Sequence, residues 1–360
     1  MLYRRAGRLR RATIGTLPPL SLADARELAR KALVDAASGN DPAATKAQDR
    51  SAASFPDLAE LYLEKHAPKK RSAGEDRRIL VRELLPKWRA CLARDIRRAD
   101  VIALLDDIAA RPAPIMANRT LALVRKLYNF GIQRGLVEAN PCALLSPPAA
   151  ERRRERVLSE AEIRALWIAL EAERLPRPVA AMRLGLLTAQ RPGEITRMRW
   201  QDVSEERSGW WWTIPPEFAK NGRAHRVPLS PQAKAVLDAL PRDGGGWVLP
   251  GRFDGTHLIE TSLARYVADL RQRLGMEHFT PHDLRRTAAS HMTGLGVSRL
   301  VVKKLLNHVD SDVTAIYDRH GYDAEKRAAL DAWGGHVAEI VAGGRSLTEV
   351  EPQLAAASSP

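Results

Sequence analysis

Apolar positions recur at helical spacing along most of the chain and turn strand-like in one short region. Leu22, Ala25, Leu28, Ala29, Ala32 and Leu33 line one face of a helix that Ser21 caps, with Asp24 at the capping-box position. Ser38-Gly39-Asn40-Asp41-Pro42 ends it. Helical periodicity returns over residues 55–66, 75–84, 100–110 and 118–134, with Pro- or charge-rich breaks between, and Gly135 and Asn140-Pro141 close the last. Ser159, with Glu162 three positions on, starts another helix. Trp210-Trp211-Trp212-Thr213-Ile214 and His225-Arg226-Val227-Pro228-Leu229 read as strands, and Asn221-Gly222 between them is a strong hairpin signal. From Ser262 to about residue 342 the pattern is helical again, and a polar tail follows. The expected class is mainly α with a small β-sheet.

At 360 residues the chain exceeds one ordinary core, so two or three domains are expected. The best boundary is Pro147-Pro148-Ala149-Ala150-Glu151-Arg152-Arg153-Arg154, stiff at one end and basic at the other. This divides the chain into an N-terminal segment (1–46), a helical domain (52–146), a linker (147–156), an α+β domain (157–338) and a tail (339–360). Lysine and arginine number 57 against 43 acids, a formal charge of +14, which points to a polyanionic partner. Arg4, Arg5, Arg8, Arg10 and Arg11 crowd the first eleven residues without an acid, either an open basic tail or an arm lying against phosphates. Lys69-Lys70-Arg71 is either solvated surface or a phosphate-contacting loop. Two cysteines, Cys91 and Cys142, stand far apart in no metal-ligand spacing, which argues against a disulfide framework or zinc module. Without a long apolar run or an apolar leader, a soluble intracellular protein is expected.

Three motifs carry chemistry. In Leu187-Thr188-Ala189-Gln190-Arg191-Pro192-Gly193-Glu194 the proline disfavours the α region for Arg191, so that arginine should stand at a break between helices. Pro192 suits the first turn of the next helix, and Glu194 favours its N-terminus. In Phe279-Thr280-Pro281-His282-Asp283-Leu284-Arg285-Arg286-Thr287, Thr280 reads as the N-cap and Asp283 as the capping-box acid. His282 and Arg285 then share a face of the first turn, beside free backbone N–H groups that suit an anion. A zinc pair of His278 and His282 is excluded, because the helix starts between them. The third motif runs from Leu305-Leu306-Asn307-His308 to Tyr317, with one helix ending near His308 and the next carrying the tyrosine.

Arg…His-x-x-Arg…His…Tyr, in this order and at these separations, resembles the active-site signature of the tyrosine recombinases, and TAQRPGE, HDLRRTAAS and LLNH are similar to prophage-type phage integrases. The likeness spans about residues 157–335, and the helical segment before it fits the family's core-binding domain. Residues 1–46 resemble the second half of an arm-type DNA-binding domain; the strands that precede that half in the family are not expected here. The resemblance implies a C-shaped two-lobed clamp on double-stranded DNA, a homotetramer on attachment-type sites, possible DNA-bending accessory proteins, and a cytoplasmic, nucleoid-associated setting without membrane attachment. It implies Tyr317 as nucleophile, Arg191, Arg285 and His308 on the phosphate, His282 as base, Lys220 as the hairpin lysine that protonates the leaving oxygen, and Glu194 as support. Arg152, Arg153 and Arg154, with Lys69, Lys70 and Arg71, are candidate DNA contacts.

These residue types suit phosphoryl transfer, which needs charge stabilisation more than covalent chemistry. Guanidinium is permanently charged and bidentate. A phenol with a pKa of about 10 needs a base or a positive site to ionise. The expected product is a 3′-phosphotyrosyl link made without metal or cofactor, for integration or excision of a mobile element or prophage. The rivals are a type IB topoisomerase-like enzyme and a catalytically inactive DNA-binding remnant.

Overall fold

A computed structural model describes residues 1–5, 8–16, 18–44, 52–70, 72–151, 155–242, 245–308 and 320–343. The chain forms two compact units, residues 1–153 and 154–360. Among the described residues no helix is long and apolar enough to cross a membrane.

The first unit begins with an antiparallel hairpin, β1 (Leu2–Arg5) and β2 (Arg8–Arg11), followed by α1 (Leu22–Ala37). This corrects the expectation that no strands precede the helix. Each strand is only four residues long and rich in arginine, so alternation is not readable; a remote acid holds the hairpin instead. Buried Tyr3 donates its hydroxyl to Asp41, which also pairs with Arg5 and Arg10. The Tyr3 hydrogen bond, with Arg10 and Arg5 beside it, holds the Asp41 carboxyl well below the usual carboxylate range. The apolar face of α1 packs little: Leu22, Leu28 and Leu33 stay exposed.

The rest of this unit is helical: α2 (Phe55–Lys65), α3 (Ala73–Ile79), α4 (Leu85–Trp88), α5 (Arg98–Ala109) and α6 (Ile115–Gln133). A π-helical stretch, Leu80–Leu84, joins α3 to α4, two residues before Pro86 removes a backbone donor. Phe55, Leu58, Tyr62, Leu84, Ile108, Leu121 and Tyr128 build the core. Asn118 clasps the start of the linker, donating to Ala149 O at 2.8 Å and accepting from Ala149 N–H at 3.0 Å.

The second unit packs α7 (Glu160–Glu171), α8 (Pro176–Thr188), α10 (Pro231–Asp238), α11 (Glu260–Arg273), α12 (Pro281–Gly294), α13 (Arg299–Leu305) and α14 (Asp323–Ala342) around one core, with α9 (Pro192–Ile195) after α8. A three-stranded antiparallel sheet, β3 (Val203–Glu206), β4 (Gly209–Ile214) and β5 (His225–Pro228), lies beside it. Strand β3 has no sequence signal, being charged and mostly exposed. The β4–β5 ladder ends at the Ile214–His225 pair, so residues 215–224 connect the strands. Asn221-Gly222 therefore does not close a two-residue hairpin; only Gly222 of the two takes positive φ. Trp333 of α14 is fully buried and donates its indole N–H to Leu186 O at 2.7 Å, tying the last helix to α8.

Candidate active site

Arg191 owes its place to local chemistry. Helix α8 stops at Ala189, which adopts a left-handed conformation, and Arg191 is extended ahead of Pro192. Buried Glu194, one turn on, accepts from the Arg191 backbone N–H at 3.2 Å and from its guanidinium at 2.9 Å. At the start of α12, Asp283 accepts from the Thr280 N–H and hydroxyl, both at 2.8 Å. That cap sets the first turn, and Arg285 points inward, 3% exposed.

The two arginines converge on one acceptor. Arg191 Nη2 reaches Leu306 O at 3.4 Å and Arg285 Nη2 reaches the same oxygen at 2.5 Å. Arg285 also donates to Ala189 O at 2.9 Å and lies 3.3 Å from His308 Nε2. Among the described residues, no carboxylate hydrogen-bonds Arg285. Burial first, then the Arg191 charge, pulls its pKa down to about 9. Desolvation and the same two arginines hold the imidazoles of His282 and His308 below their ordinary value. A pair of like charges in a half-desolvated niche is poised for an anion.

Several residues to which the sequence assigned no role in the site hold this arrangement through the end of α13. Buried Gln190 donates to Leu305 O at 3.0 Å, and His225 Nε2 donates to that oxygen at 2.9 Å. Burial first of all depresses the His225 pKa to about 4, so the ring is neutral. Asn307 takes positive φ and its side-chain oxygen accepts from Asn221 at 2.7 Å. The chain hence turns sharply and presents His308, while Asn221 fastens the β4–β5 connection to the same turn. Only the asparagine at a left-handed turn had a local signal; the others act over 80 residues or more.

Lys220 is exposed, directly before Asn221 on that connection. Tyr317 lies outside the described residues, as do Arg71, Arg152, Arg153 and Arg154. Lys69 sits in a single 3₁₀ turn. Lys70 is engaged within its own unit, in an ion pair with Asp76 and 3.2 Å from the Tyr62 hydroxyl.

The phage integrase family profile matches residues 156–323, an arm DNA-binding domain profile residues 1–49, and the phage integrase central domain profile residues 55–147. Prophage integrase IntZ of Escherichia coli K12 is 28% identical over 358 residues, covering 94% of this chain and 86% of that protein. Tyrosine recombinase XerC of Xanthomonas campestris pv. campestris B100 is 30% identical over 211 residues, 57% of this chain and 64% of that one. Among solved structures, a lambda integrase tetramer bound to a Holliday junction superimposes with a TM-score of 0.63 at 18% identity, covering 87% of this chain and 94% of that one.

Proposed function

This chain belongs to the phage integrase family of tyrosine recombinases, site-specific DNA recombinases, and on that premise we propose that Arg191, Arg285 and His308 hold the scissile phosphate while Tyr317 attacks it. The meeting of both guanidiniums on the Leu306 carbonyl, beside His308, carries this reading. A phosphate in that niche takes bidentate bonds from two permanent cations and neutralises their mutual repulsion.

In the forward step the Tyr317 phenolic oxygen bonds to phosphorus, its proton passes to His282, and the bond to the 5′ oxygen breaks. Lys220 supplies the proton that the leaving oxygen needs. The depressed pKa of His282 keeps it neutral, hence able to accept. The product is a 3′-phosphotyrosyl link and a free 5′ hydroxyl. A 5′ hydroxyl from another strand reverses the step, so phosphodiester energy is kept and no nucleotide cofactor is consumed.

The substrate is double-stranded DNA bearing attachment-type sites, recombined by a homotetramer during integration or excision of a prophage or mobile element in the cytoplasm. Duplex binding draws on the +14 charge and should weaken steeply with salt. The arginine-bearing hairpin β1–β2 supports a DNA contact by the N-terminal segment. Incubation with a nicked suicide duplex tests the reading. Wild type should form a covalent protein–DNA adduct and Tyr317→Phe should bind DNA but form none; an adduct at wild-type level in the variant overturns it.

A further inference from the structure

At the other end of α12 from the arginine niche, three side chains from three helices face one another: Glu160 in the first turn of α7, His291 of α12 and His336 of α14. Their ligand atoms all lie within 4.8 Å of one another. His291 follows Arg285 by six positions, about 9 Å along the helix axis, so the group is separate from the phosphate niche.

Two observations speak for an ion rather than a plain ion pair. His336 is 8% exposed, yet its Nε2 stands 3.3 Å from Glu160 Oε1 and its Nδ1 3.7 Å from Glu339 Oε2. A charge-assisted bond closes to about 2.7–2.9 Å, so neither ring nitrogen has a short partner. His291, tilted against the Trp333 ring at 5.5 Å, is held through Nε2 at 2.9 Å from Leu158 O. Metal-binding histidines have this surround, one ring nitrogen on the ion and the other on a carbonyl or carboxylate.

We propose that Glu160, His291 and His336 bind one divalent transition-metal ion of the zinc class, with water completing a tetrahedron. Two imidazoles and one carboxylate suit zinc, cobalt or nickel and disfavour magnesium and calcium, which take oxygen ligands. Ligand atoms around such an ion stand roughly 3.3 Å apart, so the widest separation must shrink by at most roughly 1.5 Å, within reach of side-chain rotation. The ion pins α14 to α7 and α12. Its role is structural: α14 follows the segment that carries Tyr317, and His291 stands at the far end of α12 from Arg285.

The untagged, chelator-stripped full chain is titrated with Co²⁺ by visible absorption and with Zn²⁺ by calorimetry, alongside Glu160→Gln and His336→Asn. Wild type should bind one equivalent with tetrahedral cobalt bands and melt at a higher temperature with metal. Both variants should bind at least 100-fold more weakly and lose the metal-induced melting shift. Should His336→Asn not fold, Glu160→Gln and wild type decide the matter. Wild type without cobalt bands, or variants binding as tightly as wild type through other histidines, overturn the site.

Discussion

Replacing Arg285 by methionine should make the protein more stable and disable it. Burial first, and the Arg191 charge second, pulls the guanidinium from its ordinary value down to about 9. At about 1.4 kcal/mol per pH unit, the folded site disfavours this charge by about 5 kcal/mol. Methionine keeps the apolar stem and removes the charge. It also strips a donor from Ala189 O and Leu306 O, though Arg191 still reaches the latter. A carbonyl left unpaired costs about 1–3 kcal/mol, so even at the top of that range the net gain is roughly 2 kcal/mol. For a unit of this size that is a rise of roughly 4–8 °C in Tm. Cleavage of a suicide duplex should fall by roughly 10²–10³-fold, as when one donor to a developing charge is lost. Thermal unfolding at pH 7 in low chloride, with and without sulfate, reads both sides. Sulfate should protect wild type and protect Arg285→Met less. A variant that melts several degrees below wild type and keeps the full sulfate effect would show instead that Arg285 is a satisfied structural group.

Asn221→Ala should loosen the connection that carries Lys220 and slow cleavage about 10-fold while leaving duplex affinity intact; a 5′-bridging sulfur, which leaves without a proton, should restore the rate, and no recovery would separate Asn221 from proton donation. His225 is neutral down to about pH 4 when folded and to about 6.5 when unfolded. Its folded pKa is depressed, so the unfolded chain takes up the extra proton and stability is lost as pH falls from 6.5 to 4, by about 3 kcal/mol in all. His225→Gln should flatten that slope in pH-dependent chemical denaturation; an unchanged slope contradicts it. Trp333→Ala removes a fully buried indole and its bond to Leu186 O, and should cost about 3–5 kcal/mol in denaturant unfolding, against near neutrality if α14 is dispensable.

What could be read from the sequence was local. Ser21, Ser159 and Thr280 announced helix starts because a cap and its acid lie three residues apart. Arg191 could be placed at a helix break because Pro192 restricts the residue before it. The hairpin β1–β2 escaped notice because its anchor, Asp41, lies some thirty residues onward and arginine hides the alternation. Asn221-Gly222 suggested a tight turn, but the Asn221 side chain is used across the fold on Asn307. Gln190 and His225 support the niche through the carbonyl of Leu305, a contact without sequence spacing. The trio Glu160, His291 and His336 was equally silent, since each residue comes from a different helix.

In the proposed site, Arg191 and Arg285 serve one phosphate by opposing its charge. Single-turnover cleavage of a suicide duplex carrying a methylphosphonate at the scissile position tests it, with wild type, Arg191→Ala and Arg285→Ala compared on the charged and uncharged substrates. A loss of roughly 10²-fold or more on the phosphate is expected to shrink toward parity on the neutral group for both variants. Losses of equal size on the two substrates would mean that the arginines do not clamp that charge.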